Sequence, residues 1–164
     1  MKEPFAKVEL FAFDIDGTLT DGTTTWLGDD VGWVQNYSVR DGEALLRIQA
    51  QGVPVIPLSR NKTKCARVRM ERLGLPTDWL GVSDKTSALA DLSKRRDVSY
   101  DRLLYVGDGI EDAPILRAVG CGVAVADAHS KTREAADYVA QAKGGARVIE
   151  ELADLLFAAK GWPL

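Results

Sequence analysis

Two aspartates one residue apart, Asp14 and Asp16, close the apolar run "VELFAF" and stand just before Gly17 and Thr18. Residues two apart on an extended chain project to the same side, so both carboxylates can address one point in space. An EF-hand calcium loop begun at Asp14 needs glycine at its sixth position and glutamate at its twelfth, yet those positions hold Leu19 and Thr25. That assignment fails. A plain Asp-Gly turn accounts for Asp16 and Gly17 but leaves Asp14 an unpaired carboxylate at the edge of a core, a costly arrangement that a cation would relieve.

Two further polar groups follow apolar runs, and a third stands at the start of a helix. Ser59 comes after "VPVIPL", "GDGIED" (107–112) comes after "LLYV", and Lys85 follows "VSD". Together they supply what phosphoryl transfer requires. A carboxylate attacking a phosphate dianion meets charge repulsion, so a divalent metal, a fixed cation and hydrogen-bond donors are needed around the phosphoryl oxygens. Asp14 can be the nucleophile, and Asp14, Asp108 and one backbone carbonyl suffice for Mg²⁺, which retains several waters. Lys85 offers the cation, Ser59 a hydroxyl, and the N–H groups around Ile15 to Gly17 the remaining donors. Asp16 can protonate the leaving alkoxide and then deprotonate the water that hydrolyses an aspartyl-phosphate.

The elements that must position these groups alternate along the chain. Apolar runs at 8–13, 53–58, 103–106 and 122–125 read as strands buried on both faces. Helical spacing at 41–52, 62–73, 84–95, 112–120 and 146–159 fills the gaps. Such alternation predicts an α/β fold, a doubly wound, Rossmann-like parallel sheet with helices on both faces. Residues 23–39, rich in β-branched and aromatic types around a Gly-Asp-Asp turn, predict a β-hairpin flap after the first strand, spanning about 22–39.

At 164 residues the expectation is one domain, 1–164, with a core that needs no disulfide. With 21 basic and 24 acidic residues the net charge is −3, which offers no electrostatic footprint for nucleic acid. Cys65 and Cys121 lie far apart and read as reduced thiols, and no run approaches the length of a membrane span. The expected location is the cytoplasm.

The segments "FDIDGT" (13–18), "LS" (58–59), Lys85 within "DK", and "GDGIED" (107–112), in this order, resemble the four motifs of the haloacid dehalogenase superfamily of phosphatases. The resemblance implies Asp14 as nucleophile and metal ligand, and Asp16 as acid/base and as metal ligand through its carbonyl. It further implies Asp108 as metal ligand, Asp112 as support behind the ligands, Ser59 and Lys85 as phosphate binders, and Mg²⁺ as cofactor. Only 37 residues separate Asp21 from Ser59 and 25 separate Ser59 from Lys85, too few for a cap domain. With "LTDG", "VRDG", "RMERLGLP" and "AVADAHSKTREAADYVA", the chain resembles the capless branch of 3-deoxy-manno-octulosonate 8-phosphate phosphatases, which includes the phosphatase-like domain of some acylneuraminate cytidylyltransferases. The resemblance implies hydrolysis of a small acidic sugar phosphate, of the ulosonic or nonulosonic kind. It also implies a homotetramer in which a neighbour covers the open site through the hairpin bearing Trp26 and Trp33. Arg69 is a candidate for binding an anionic substrate group, with a surface salt bridge as its alternative. His129, the only histidine, is expected in a loop or cap.

Two other classes compete. A catalytically weak or inactive regulatory or binding module would fit Gly109, where the branch favours aspartate, and "LSRN", where octulosonate phosphatases carry threonine-glycine-arginine. A receiver domain also uses an acidic cluster and a lysine, but its lysine follows the phosphoacceptor strand late in the chain, whereas Lys85 precedes Asp108.

Overall fold

A computed structural model describes residues 2–163; Met1 and Leu164, the ends of the expected domain, lie outside the described residues. Numbered in chain order, β1 (Leu10–Phe13), β4 (Val55–Pro57), β5 (Leu103–Gly107) and β6 (Cys121–Ala124) are buried along their entire length. That burial on both faces is why each reads as an unbroken apolar run. With the two-residue strand β7 (Tyr138–Val139) they form one parallel sheet in the order β4-β1-β5-β6-β7. Helices α1 (Lys2–Ala6), α2 (Val39–Ala50) and α7 (Val148–Lys160) pack together, and α5 (Ala113–Ala118) packs between α4 (Lys85–Arg96) and α6 (Ser130–Ala135). The doubly wound architecture is the expected one.

Helix α2 begins at Val39, two residues before the periodicity predicts, because the Ser38 hydroxyl accepts the Asp41 N–H at 3.2 Å and caps the helix there. Asp41 is thereby turned inward. Fully buried, its carboxylate accepts the N–H groups of Arg147, Ile149 and Glu150 at 2.9 to 3.2 Å, which fixes the start of α7 against α2.

The hairpin is present but short: β2 (Thr25–Trp26) pairs antiparallel with β3 (Trp33–Val34). Trp26 and Trp33 face each other at 5.3 Å between ring centroids and stay 48% and 53% exposed. Between β1 and β4 lie the irregular helical turn Ile15–Leu19, this hairpin and α2, and α3 (Lys64–Arg72) is the one helix between Ser59 and Lys85. No cap domain interrupts the described chain. Among the described residues no helix is long and apolar enough to cross a membrane.

The sheet order places β1 between β4 and β5, so the chain leaves β1 to one side and returns on the other. The crevice beyond the carboxyl ends of strands at such a switch point is where open α/β sheets bind ligands. Register aligns Phe13 with Pro57 and with Val106, so the residues that follow all three strands converge there.

Candidate active site

Strand β1 stops at Phe13, and the next residues turn. Asp16 (φ −74°, ψ 122°) and Gly17 (φ 77°, ψ −2°) have the angles of a type II turn, whose third position requires positive φ. Gly17 meets a second demand: a Cβ there would run into the Asp108 carboxylate. Because the chain is no longer a strand, the same-side expectation for Asp14 and Asp16 does not hold. The Asp14 carboxylate reaches Lys85 Nζ at 2.7 Å. Asp16 Oδ1 instead accepts from Asn61 Nδ2 at 2.8 Å and from Gln35 Nε2. Both side chains still line one cleft.

Lys85 is delivered by a detour from β4. The Ser59 N–H donates to Trp79 O at 3.1 Å and Gly81 N–H donates to Ser59 O at 2.9 Å, so residues 79–82 run beside the end of β4. Asp84 then caps α4 by accepting the N–H groups of Thr86 and Ser87, which makes Lys85 its first residue. Lys85 Nζ lies 2.7 Å from both Asp14 and Asp112, and all three side chains are at most 9% exposed.

Three carboxylates crowd this point. Asp14, Asp108 and Asp112 each offer an oxygen within 4.8 Å of the others. Against them stands one ammonium, leaving two negative charges in a poorly solvated pocket. Burial pushes the Asp14 carboxyl up to about 6 even though Lys85 opposes it, and burial, with Asp14 and Asp112 nearby, pushes Asp108 up to about 7. Burial alone would lower the Lys85 pKa, but the paired carboxylates outweigh it and hold the ammonium firmly protonated.

Protein donors are shared unequally among the three. Asp112 accepts from Lys85 Nζ, Tyr105 Oη (2.8 Å) and the N–H groups of Asp108 and Gly109 (3.1 and 3.0 Å). Asp14 has Lys85, the Ile15 N–H (2.7 Å) and the Ser59 hydroxyl, and among the described residues Asp108 has the Thr18 hydroxyl alone (3.1 Å). Asp112 is thus satisfied from inside the protein, while Asp14 and Asp108 keep free acceptor capacity. An all-oxygen donor set with two uncompensated charges suits a hard divalent cation such as Mg²⁺. The Ile15 N–H, expected as a phosphoryl donor, is engaged by Asp14 itself, and the Gly17 N–H makes a long bond of 3.4 Å to the Thr20 hydroxyl.

A cleft of about 280 Å³ is lined by Asp14, Asp16, Ser59, Lys85 and Asp108, with Arg60, Gly109 and Glu111 at its edge. Arg60 and Glu111 pair across the rim at 3.2 Å. The structure does not bring Arg69 into this cleft. Its guanidinium lies 5.8 Å from the centroid of the Tyr37 ring and lines a neighbouring groove of about 430 Å³ with Val31, Trp33 and Val34 of the hairpin. His129 caps α6, its Nδ1 accepting the Lys131 N–H. Sequence reasoning missed Gln35 altogether and noted Asn61 only as part of "LSRN". Their signal is spatial, since the two residues lie far apart in sequence and come together beside Asp16.

Strand-end carboxylates gathered on a buried lysine, at the switch point of an uncapped parallel sheet, define a haloacid dehalogenase-like hydrolase. Residues 81–148 match the family model described in those words. Over 154 residues, 94% of its length, the chain is 33% identical to the 3-deoxy-D-manno-octulosonate 8-phosphate phosphatase KdsC of Escherichia coli K12, covering 81% of that protein. The crystal structure of the corresponding phosphatase from Yersinia pestis is 29% identical, with a TM-score of 0.93 over 98% of this chain and 86% of that one. The Moraxella catarrhalis phosphatase, solved in complex with magnesium ion, phosphate ion and KDO, is 26% identical, with a TM-score of 0.93 over 98% and 91% of the two chains. The protein belongs to the haloacid dehalogenase-like hydrolases, and its similarity to the octulosonate phosphatases runs through nearly the whole chain.

Proposed function

We propose that the protein is a Mg²⁺-dependent phosphatase that hydrolyses the phosphate monoester of a small acidic sugar through an aspartyl-phosphate on Asp14. The observation that carries this is the convergence of Asp14, Asp108 and Asp112 on Lys85 in a cleft that also contains Asp16 and Ser59. Asp14 and Asp108, with the Asp16 carbonyl, would hold the metal, which when bound neutralises charge on the phosphoryl group and on the two carboxylates. Lys85 and Ser59 bind phosphoryl oxygens. An Asp14 oxygen bonds to phosphorus as the bond from phosphorus to the sugar oxygen breaks, and Asp16 gives that oxygen a proton. Asp16 then takes a proton from water, whose oxygen bonds to phosphorus and breaks the acyl-phosphate, freeing inorganic phosphate and restoring Asp14.

The curated relatives act on 3-deoxy-D-manno-octulosonate 8-phosphate, which makes it the first substrate to test here. A non-catalytic module draws less support. Gly109 serves the site through its backbone, its N–H donating to Asp112 and its carbonyl accepting the Thr132 hydroxyl at 2.7 Å, so glycine there removes no ligand from the cleft. We also propose one domain working in the cytoplasm as a homotetramer, with the exposed Trp26 and Trp33 buried between subunits; light scattering on the Trp33→Ser protein tests that assembly. For the activity, phosphate release from the octulosonate 8-phosphate should require Mg²⁺ and vanish in Asp14→Asn. Turnover without metal, or surviving the loss of the Asp14 carboxylate, would overturn the proposal, as would failure of Mg²⁺ with beryllofluoride to bind.

A further inference from the structure

We infer that Gln35 and Asn61 are positioning residues that grip the Asp16 carboxylate by one oxygen and leave the other free for the proton. The inference rests on the reading of Asp16 as general acid and base. Both carboxamides donate to the same atom, Oδ1: Asn61 Nδ2 at 2.8 Å, and Gln35 Nε2. Among the described residues Oδ2 accepts no bond.

The orientation of each amide is fixed by its other end. Asn61 Oδ1 accepts the N–H of Thr63 at 2.9 Å and its hydroxyl at 2.8 Å, so Nδ2 is the group that must face Asp16. Gln35 Oε1 accepts from Asn61 Nδ2 at 3.0 Å and from the Tyr37 hydroxyl at 3.2 Å, which leaves Nε2 as its donor. Asn61 is 7% exposed, its own N–H bonds Ser59 Oγ at 3.1 Å, and Thr63 caps α3. One end of the grip is therefore anchored in the loop that carries Ser59. The other end, Gln35, directly follows β3 of the hairpin.

Two properties of this pair suit a group that must both give and take a proton. A carboxylate on a turn is free to rotate, and fixing Oδ1 aims Oδ2; misplacement by about 1 Å costs roughly a hundredfold in rate. Neutral amides also hold the carboxylate without setting a second formal charge beside it. Gln35 further ties the acid/base group to the hairpin, so the flap is part of the proton-transfer apparatus as well as a cover.

The test compares two leaving groups. Octulosonate 8-phosphate expels a poor alkoxide that needs a proton, whereas p-nitrophenyl phosphate expels a phenolate that leaves unaided. Gln35→Met and Asn61→Ala should lower kcat/KM for the sugar phosphate about tenfold or more, and lower the sugar-to-aryl ratio with it. Gln35→Glu, of equal length but setting a carboxylate against Asp16, should lower that ratio further. Thermal unfolding of the half-buried Gln35 variants checks that they fold. The inference is overturned if Asp16→Asn lowers the ratio while the Gln35 and Asn61 variants leave it unchanged. If Asp16→Asn itself leaves the ratio unchanged, the acid/base reading falls first, and this inference falls with it.

Discussion

Replacing Lys85 with methionine should destabilise the metal-free protein and make it more responsive to Mg²⁺. Among the described residues the lysine is the sole ammonium bonded to Asp14 and Asp112, at 2.7 Å from each, in a pocket where all three side chains are nearly inaccessible to water. Methionine fills similar volume but leaves both carboxylates without their cation. Removing one partner of a buried ion pair costs about 3–5 kcal/mol, far more than losing an exposed pair, because the remaining charges stay desolvated. For a chain of this size that is a fall in Tm of roughly 6–20 °C. At a pH where all three carboxylates are ionised, the pocket goes from two uncompensated negatives to three, so a divalent cation gains more by binding the variant. Thermal unfolding in EDTA and in excess MgCl₂ reads both effects. The Mg²⁺-induced rise in Tm should be larger in Lys85→Met than in the native protein, while phosphate release is lost. An unchanged Tm in EDTA, or a smaller Mg²⁺ response, would refute the claim that these carboxylates depend on Lys85 and share one cation site.

The same electrostatics predict a pH dependence. Burial raises Asp14 to about 6 and Asp108 to about 7 in the folded state, above the ordinary value of 3.8. The folded protein therefore binds protons that the unfolded chain has released, so these two groups favour folding at low pH and lose that contribution as pH rises from about 4 through 7. Tm of the metal-free protein, measured from pH 5 to pH 8, should carry a downward component that saturating Mg²⁺ or Asp14→Asn reduces; equal profiles for all three would contradict it. A structural prediction concerns the C-terminal glycine pair. The Gly145 N–H donates to Thr18 O at 2.9 Å, and a Cβ on Gly144 would strike the Gly17 carbonyl oxygen. Gly144→Ala should therefore push the loop off the turn that follows β1, costing about 1–3 kcal/mol of stability and lowering kcat, and wild-type values of both would exclude that role.

The sheet was legible because its four main strands are buried on both faces, which writes them into the chain as apolar runs. Strand β7 was not, since two residues carry no period, and α1 was masked by the charge and proline of residues 2–7. Asp14, Ser59, Lys85 and Asp108 were legible for a different reason: each follows a strand or opens a helix, and parallel topology carries such positions to one edge. Gln35 and Asn61 belong to no such pattern. They meet Asp16 only because a type II turn rotates its carboxylate off the strand direction, towards the hairpin and the loop after β4. A two-residue alternation rule, applied one residue beyond the strand's end, missed that rotation.

The four aspartates look interchangeable as letters, and the donors around them tell them apart. Asp112, with four protein donors, has little left to offer a metal and serves by orienting Lys85 and the backbone of Asp108. Asp14 and Asp108, with three and one among the described residues, keep more acceptor capacity than Asp112, which suits the ligand and nucleophile roles proposed for them. Asp16 is held by neutral amides on a single oxygen, which leaves its other oxygen open for the proton transfer proposed for it. Supplying another N–H donor to Asp108 would stabilise the metal-free fold and weaken the cation site together. The instability of this pocket without its metal is therefore inseparable from its capacity to bind one.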